Sequence, residues 1–152
     1  MCRHIIGLKT IHVGAASHDR QRAFVQRCIA GSASHGGGAF AAQPLATALN
    51  RLGRSQRRVF VASVPGEGGR RRDVGVLIKT RRGQELHWAV GLECRGRGHG
   101  ARMVALVAEP GMMARIARAD LASAKIAQRA GFNLVEDGRV QLWRADRTPP
   151  YA

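Results

Sequence analysis

Short apolar runs, several of them alternating with polar residues, divide the second half of the chain into strands. Residues 59–64 and 73–79 are rich in β-branched side chains, and a charged turn at 65–72 separates them. We therefore predict an antiparallel pair of strands there. Residues 85–92 predict the next strand, and residues 113–118 predict a further one.

Two segments among these strands are typical of helices. Residues 101–108 contain good helix formers and no breaker. Asp120 is a suitable N-cap for the second helix, and Gly131 is a suitable C′ residue to end it. Residues 133–135 and 140–143 then predict two strands joined by an Asp-Gly turn, a dipeptide typical of β-hairpins.

The first third of the chain has weaker patterns. Residues 5–13 predict a first strand, and residues 18–30 have apolar positions at helical spacing. A glycine- and serine-rich stretch at 31–38 breaks the pattern, and residues 37–42 open a short strand or only a loop. Residues 44–52 predict a short helix with proline in its first turn. The order β-α-α-β-β-β-α-β-α-β-β indicates one mixed α/β domain, a size that 152 residues suit.

A glycine-rich loop at 95–100 joins the strand at 85–92 to the helix that follows. Its three alternate glycines, Gly96, Gly98 and Gly100, let the backbone come close to a ligand. Free N–H groups at the start of the helix add positive potential. This arrangement favours an anion, and a diphosphate is the ligand that it suits best.

The order and spacing of these motifs resemble the GCN5-related N-acetyltransferases. The resemblance rests on an R-x-x-G-x-G loop at 95–100, an Asp-x-x-Ser element at Asp120 and Ser123, and Gly-Phe at 131–132 before a terminal hairpin. Within that superfamily, the pattern S-x-x-I-x-x-x-x-G-F is most similar to the branch that acetylates the N-termini of ribosomal proteins. The resemblance covers roughly residues 59–145.

The resemblance implies a single domain with a mixed, mostly antiparallel central sheet, flanked by helices and splayed apart at the cofactor strand. The domain would span residues 1–147, and residues 148–152 would form a tail. Within the domain, residues 59–145 would form the cofactor-binding half, and residues 1–58 would form a helical half on the acceptor side. Acetyl-CoA would be the cofactor, with its pantetheine arm along the strand and its diphosphate at the loop. The implied cofactor-binding residues are Val90, Gly91, Leu92, Arg95, Gly96, Arg97, Gly98, His99, Gly100, Asp120 and Ser123, and Trp88 would flank the same arm.

The implied reaction is transfer of the acetyl group to a primary amine, on a protein N-terminus or a small molecule, by direct attack with help from a general base. Glu85 occupies the position where such enzymes often keep a glutamate, and His87 lies on the same face of the strand. The family's usual tyrosine is replaced by Ala127, so Ser123 is the candidate acid for the thiolate. A solvated strand glutamate, a structural histidine and a serine bonded to its own helical turn are the competing interpretations.

The formal net charge of +15 suggests a second function, that of a basic domain that keeps the fold and binds nucleic acid or another polyanion without catalysis. The seven aromatic residues do not interleave the basic clusters, so nucleic acid is not the favoured partner. A solvated, arginine-rich surface explains the charge equally well. A basic face disfavours polycationic acceptors, and we expect a neutral or acidic one.

Other classes of site and location are disfavoured. The three cysteines form no C-x-x-C pair, which indicates neither a zinc site nor a disulfide framework and fits the cytoplasm. No apolar run is long enough for a membrane span. We expect a monomer or homodimer. Residues 96–101 also fit the dinucleotide pattern G-x-G-x-x-A, but the 52 residues from 101 onward are too few for repeated βαβ units.

Overall fold

The computed structural model describes residues 7–11, 23–24, 27–28, 58–79, 85–91 and 94–146. Within the helix predicted at 18–30, residues 23–24 and 27–28 are helical. The elements predicted at 37–42 and 44–52 lie outside the described residues, as do Leu92 and the tail.

Four antiparallel strands form the first sheet, in the order β1-β2-β3-β4. They are β1 (Gly7–Ile11), β2 (Arg58–Pro65), β3 (Arg71–Lys79) and β4 (Leu86–Val90). β3 starts two residues before the predicted strand, because Arg71 and Arg72 pair with the end of β2. The strands predicted at 59–64, 73–79 and 85–92 are therefore confirmed as β2, β3 and β4.

A second sheet contains β5 (Met113–Ala117), β6 (Phe132–Glu136) and β7 (Val140–Ala145) in the antiparallel order β5-β7-β6. The helix α1 (His99–Val107) connects the first sheet to β5, and α2 (Leu121–Arg129) connects β5 to β6 within the second sheet. The strands β5, β6 and β7, which follow the glycine loop, pair with one another in antiparallel fashion. They are not the parallel units of a dinucleotide-binding domain.

The terminal hairpin is present, but its predicted two-residue Asp-Gly turn is wrong. Residues 137–139 join the strands, and Gly138 is outside the left-handed region that such a turn requires. A bulge between Leu134 and Glu136 takes up the extra residue on β6. The pattern of apolar residues predicted the hairpin correctly, because it marks the two strands. It does not give the length of the loop between them, and that length determines the turn type.

The two sheets meet at one point and then separate. A single parallel bridge joins Glu85, just before β4, to Met113 at the start of β5. Beyond this bridge the described parts of the two parallel strands belong to different sheets, so a gap opens between them toward the C-terminal end of β4. This mixed, mostly antiparallel architecture, split at β4, is the fold class expected from the sequence.

The core lies between α1, α2 and the two sheets. Met103 of α1 is fully buried against β3, where a Cβ on Gly75 would lie 2.5 Å from its sulfur. Gly75 therefore lets α1 lie close to the sheet. Trp88 and Phe132 bring the sheets together, with ring centroids 6.1 Å apart. Burying each such side chain stabilises the fold by about 1.5–3 kcal/mol.

Candidate active site

The glycine loop has the backbone conformation that its sequence predicted. Gly96 and Gly98 have φ values of 78° and 77°, in the left-handed region that other residues rarely adopt. Nothing lies within 4 Å of a Cβ built on either glycine, so their role is conformational and not steric. Gly98 is the N-cap of α1, and the helix starts at His99, two residues earlier than predicted. The free N–H groups of the first helical turn therefore lie within the loop itself.

Gly100 has a different role in the same loop. A Cβ at this position would lie 2.5 Å from Cδ1 of Ile126 and 3.1 Å from Cγ2 of Val90. Real Cβ atoms do not approach other atoms so closely, so the absent side chain permits α1, α2 and β4 to meet. The loop thus uses two glycines for its shape and one for close packing.

A cleft of about 470 Å³ opens between the glycine loop, β4 and α2. Eight of the predicted cofactor-binding residues line it: Val90, Arg95, Gly96, Gly98, His99, Gly100, Asp120 and Ser123. Gly91 and Arg97 do not line it, and Leu92 is outside the described residues. Three side chains that the sequence analysis missed, Lys125, Ile126 and Arg129, also line the cleft. Ile126 lies three residues after Ser123, and Arg129 lies three residues after Ile126 and four after Lys125, so helical spacing along α2 is the signal that could have found them.

The charge of the cleft suits an anionic ligand. Arg95, Lys125 and Arg129 line it, and none of them forms an ion pair within the described part of the chain. Asp120 is the one acidic residue in the described lining. Its carboxylate accepts a hydrogen bond from the Ser123 N–H at 3.1 Å and so caps α2. Capping needs an acceptor and no donor, so an aspartate suits this position.

The free edge of β4 faces the opening between the sheets. Gly91 donates its N–H to the carbonyl of Val74 on β3 at 2.8 Å. Since hydrogen-bonding direction alternates along an antiparallel strand, the N–H and C=O of Val90 and Trp88 are directed away from β3. This edge has the geometry to pair with an extended, amide-containing ligand.

The cleft narrows toward a small gap where β4 and β5 diverge. Trp88 and Ser123 line both the cleft and the gap. The Trp88 side chain is 7% exposed, and its indole N–H has no hydrogen-bond acceptor among the described residues. The gap also contacts His87 and Arg115, so side chains from both faces of the sheet meet there.

His87 lines this gap, and Glu85 lies beside His87 on the same face of the strand, as the two-residue strand period predicted. Oε1 of Glu85 is 3.5 Å from Nε2 of His87 and 3.6 Å from Nε of Arg115. The Glu85 and His87 side chains are 26% and 12% exposed. Arg115 was not predicted here, because its position depends on the bridge between β4 and β5. By strand alternation, the carboxylate and imidazole lie on the face opposite to Trp88 and Val90.

Within the described residues, no three His, Cys, Asp or Glu side chains are close enough together to hold a metal ion. No helix in this part of the chain is long and apolar enough to span a bilayer.

Known structures have the same fold at low sequence identity. A domain from Methanocaldococcus jannaschii matches with a TM-score of 0.69 and 16% identity, over 92% of this chain and 97% of that one. The GNAT domain of PAT from S. lividans matches with a TM-score of 0.60 and 15% identity, over 90% and 87%. RimL, a ribosomal L7/L12 α-N-protein acetyltransferase solved with coenzyme A, matches with a TM-score of 0.61 and 12% identity, over 94% and 95%.

No protein-family model matches the chain, and no curated protein sequence matches it. The structural likeness confirms that the fold is that of the GNAT acetyltransferases.

Proposed function

We propose that this protein is an N-acetyltransferase that moves the acetyl group of acetyl-CoA to a primary amine, on a protein N-terminus or a small molecule. The observation that carries the proposal is one continuous path. It runs from an anion-binding glycine loop, along the free edge of β4, to the gap that His87 lines, with Glu85 beside His87.

The cleft fits the parts of coenzyme A in order. The diphosphate would be held by the N–H groups of the loop and of the first turn of α1, with Arg95 beside them. The amides of the pantetheine arm would pair with the backbone groups of Trp88 and Val90. The likeness to RimL, which was solved with coenzyme A, supports this choice of cofactor.

Bound acetyl-CoA would supply an activated acyl group as a thioester at the gap. Glu85 would accept the proton of the incoming ammonium, directly or through His87, so that the neutral amine attacks the carbonyl carbon. The N–H of Val90 would donate a hydrogen bond to the oxygen as its negative charge develops. Ser123, which lines both cavities, would donate its hydroxyl proton to the sulfur as the C–S bond breaks, and would regain a proton from the attacking nitrogen as the amide forms.

The acceptor is proposed to be neutral or acidic. The chain carries 25 Lys and Arg residues against 10 Asp and Glu residues, so a polycationic acceptor would be repelled. The likeness to RimL is consistent with a protein N-terminus. Peptides with a free N-terminal amine and an acidic, a neutral or a basic N-terminal segment test this part of the proposal when their rates of acetylation are compared.

Titration calorimetry with acetyl-CoA tests the cofactor site, and NADH serves as the competing ligand. We expect micromolar affinity for acetyl-CoA and a loss of at least about tenfold in the Arg95→Glu variant. Arg139→Glu is the matched control, since it makes the same charge change on an exposed residue that lines none of the cavities described above. Binding of NADH in place of acetyl-CoA, or equal losses in both variants, would contradict the proposal.

A further inference from the structure

A second groove lies on the other side of the glycine loop. It encloses about 690 Å³ between that loop and the turn that joins β2 to β3. It shares only Cys94 and His99 with the cleft, so the loop forms a wall between the two cavities. Four arginines line it, Arg70, Arg71, Arg72 and Arg97, and the acetyl-transfer chemistry uses none of them. We refer to this cavity as the arginine groove.

The turn that presents these arginines is closed by its own backbone. The N–H of Gly66 donates to the carbonyl of Arg70 at 2.8 Å, and the N–H of Arg70 donates to the carbonyl of Glu67 at 3.3 Å. Gly68 and Gly69 have φ values of 64° and 72°, which glycine adopts without strain. The cationic side chains are therefore attached to a turn of defined shape.

Hydrogen bonds to Ser63 hold the Arg71 side chain in place at the wall of the groove. Its Nε donates to Oγ of Ser63 at 2.9 Å, and its Nη2 donates to the carbonyl of the same residue at 2.8 Å. This pair of bonds holds the guanidinium against the end of β2. A ligand in the groove would meet a fixed positive charge there, since a guanidinium stays protonated in proteins.

The remaining arginines of the groove outnumber the acidic residues that line it. Arg70, Arg72 and Arg97 form no ion pair within the described part of the chain. Glu67 is the one acidic residue in the described lining of the groove. A cavity with four arginines and one carboxylate attracts anions, and the formal net charge of +15 extends that attraction over a longer range.

The residues that line the groove indicate whether its anionic partner is an acidic protein or a nucleic acid. The apolar side chains of the lining are few, mainly Val64 and Pro65, and no aromatic residue is among its described members. Protein partners usually need an apolar centre with anchoring side chains, which this groove lacks. Interfaces with nucleic acid are polar and strongly positive, which it matches. The absence of stacking aromatics in the lining points to contact with phosphates and not with bases.

We infer that the arginine groove binds the phosphodiester backbone of nucleic acid without sequence preference, beside the proposed cofactor cleft and separately from it. The inference does not depend on acetyl transfer. It also assigns phosphate binding in the groove to Arg97, a residue that the family resemblance assigns to the diphosphate of the cofactor.

Fluorescence anisotropy of the full chain with a labelled single-stranded RNA of about 20 nucleotides, from about 50 to 200 mM salt, tests the inference. The test variant is Arg70→Glu/Arg72→Glu, which leaves the bracing Arg71 in place. The control variant is Arg118→Glu/Arg139→Glu, which makes the same charge change on exposed residues near the second sheet, outside all three cavities. Circular dichroism verifies that both variants fold, and Arg70→Gln/Arg72→Gln is a milder substitute.

We expect the groove variant to lose at least about tenfold in RNA affinity, against less than about threefold for the control. In the glutamine variant, the slope of log affinity against log salt should fall by about 1.4, since each phosphate contact on a single strand contributes about 0.7. Equal losses in test and control variants would assign binding to net charge and overturn the inference. So would absence of RNA binding by the wild type, equal groove-dependent binding of polyglutamate, or loss of acetyl-CoA affinity in place of RNA affinity.

Discussion

The cleft and the arginine groove lie on opposite sides of one glycine loop, and they concentrate positive charge by different means. The cleft relies mainly on backbone N–H groups, which Gly96 and Gly98 direct and the close packing at Gly100 holds in place. The groove relies on guanidinium groups held by a closed turn. Backbone donors fit one ligand of fixed shape, whereas long side chains adapt to a repeated anionic chain. The same loop can therefore serve two anions of different kinds.

The largest expected effect separates chemistry from binding on the cleft side. In Glu85→Gln we expect turnover to fall about 100-fold or more, because the proposed base is removed. Acetyl-CoA affinity should stay unchanged, since Glu85 lies on the face opposite to Trp88 and Val90. Steady-state kinetics and calorimetry of the same preparation measure both quantities.

Glu109→Gln is the matched control for this change. Glu109 also forms an ion pair, at 3.3 Å from Lys79, but lines none of the cavities described above. Its turnover should stay within about twofold of the wild type. If Glu85→Gln keeps its turnover as Glu109→Gln does, the interpretation of a solvated strand glutamate is the correct one, and equal losses in both variants would mean that Glu85 acts only through its ion pairs.

The sequence predicted the part of the site that depends on local backbone. The glycine loop, the N-cap at Asp120 and the pairing of Glu85 with His87 follow from residue type and strand period, and the structure has all three. Whether these residues bind cofactor and catalyse transfer stays a prediction.

Other features of the site depend on tertiary contacts, which the sequence pattern does not show. Arg115 reaches Glu85 only because a bridge aligns β4 with β5. Arg97 lines the groove and not the cleft, because the left-handed glycines on either side of it redirect the chain. A pattern of residue types gives the presence of a loop but not the direction of each side chain along it. The arginine groove was missed for the same reason, since its walls come from segments about 25 residues apart.

The next effect tests the packing that holds the loop. Gly100→Ala places a Cβ against Ile126, and we expect the free energy of unfolding to fall by about 1–3 kcal/mol, as in other overpacked cores. Acetyl-CoA affinity should fall with it. Chemical denaturation measures the first quantity and calorimetry the second.

A second substitution sharpens the result at Gly100. The double variant Gly100→Ala/Ile126→Ala removes the two atoms closest to the new Cβ, so it should recover part of the acetyl-CoA affinity lost in Gly100→Ala. No recovery would mean that the backbone of Gly100, and not its lack of a side chain, matters for the ligand.

A smaller effect is expected for the shape of the loop itself. Gly98→Ala must hold an L-residue at φ 77°, which costs about 1–2 kcal/mol, and it should weaken acetyl-CoA binding by up to about tenfold. RNA binding in the groove should weaken less than acetyl-CoA binding, because Arg70, Arg71 and Arg72 lie on the opposite wall, away from the loop. Gly138→Ala is the control, since its φ lies outside the left-handed region and the nearest atom to a Cβ there is at 3.5 Å. Equal destabilisation of both variants, measured by thermal unfolding, would contradict the conformational role of Gly98.

The smallest effect concerns the side-chain charges of the cleft. Lys125 is exposed on α2 and lines the cleft without an ion pair among the described residues, so it interacts with a ligand through solvent. Lys125→Gln should weaken acetyl-CoA binding about two- to fivefold at low salt, and the difference should shrink as salt screens the charge. RNA affinity should change no more than in Arg139→Gln. If Lys125→Gln weakens RNA binding more than acetyl-CoA binding, both cavities belong to one polyanion surface, and the glycine loop does not divide two functions.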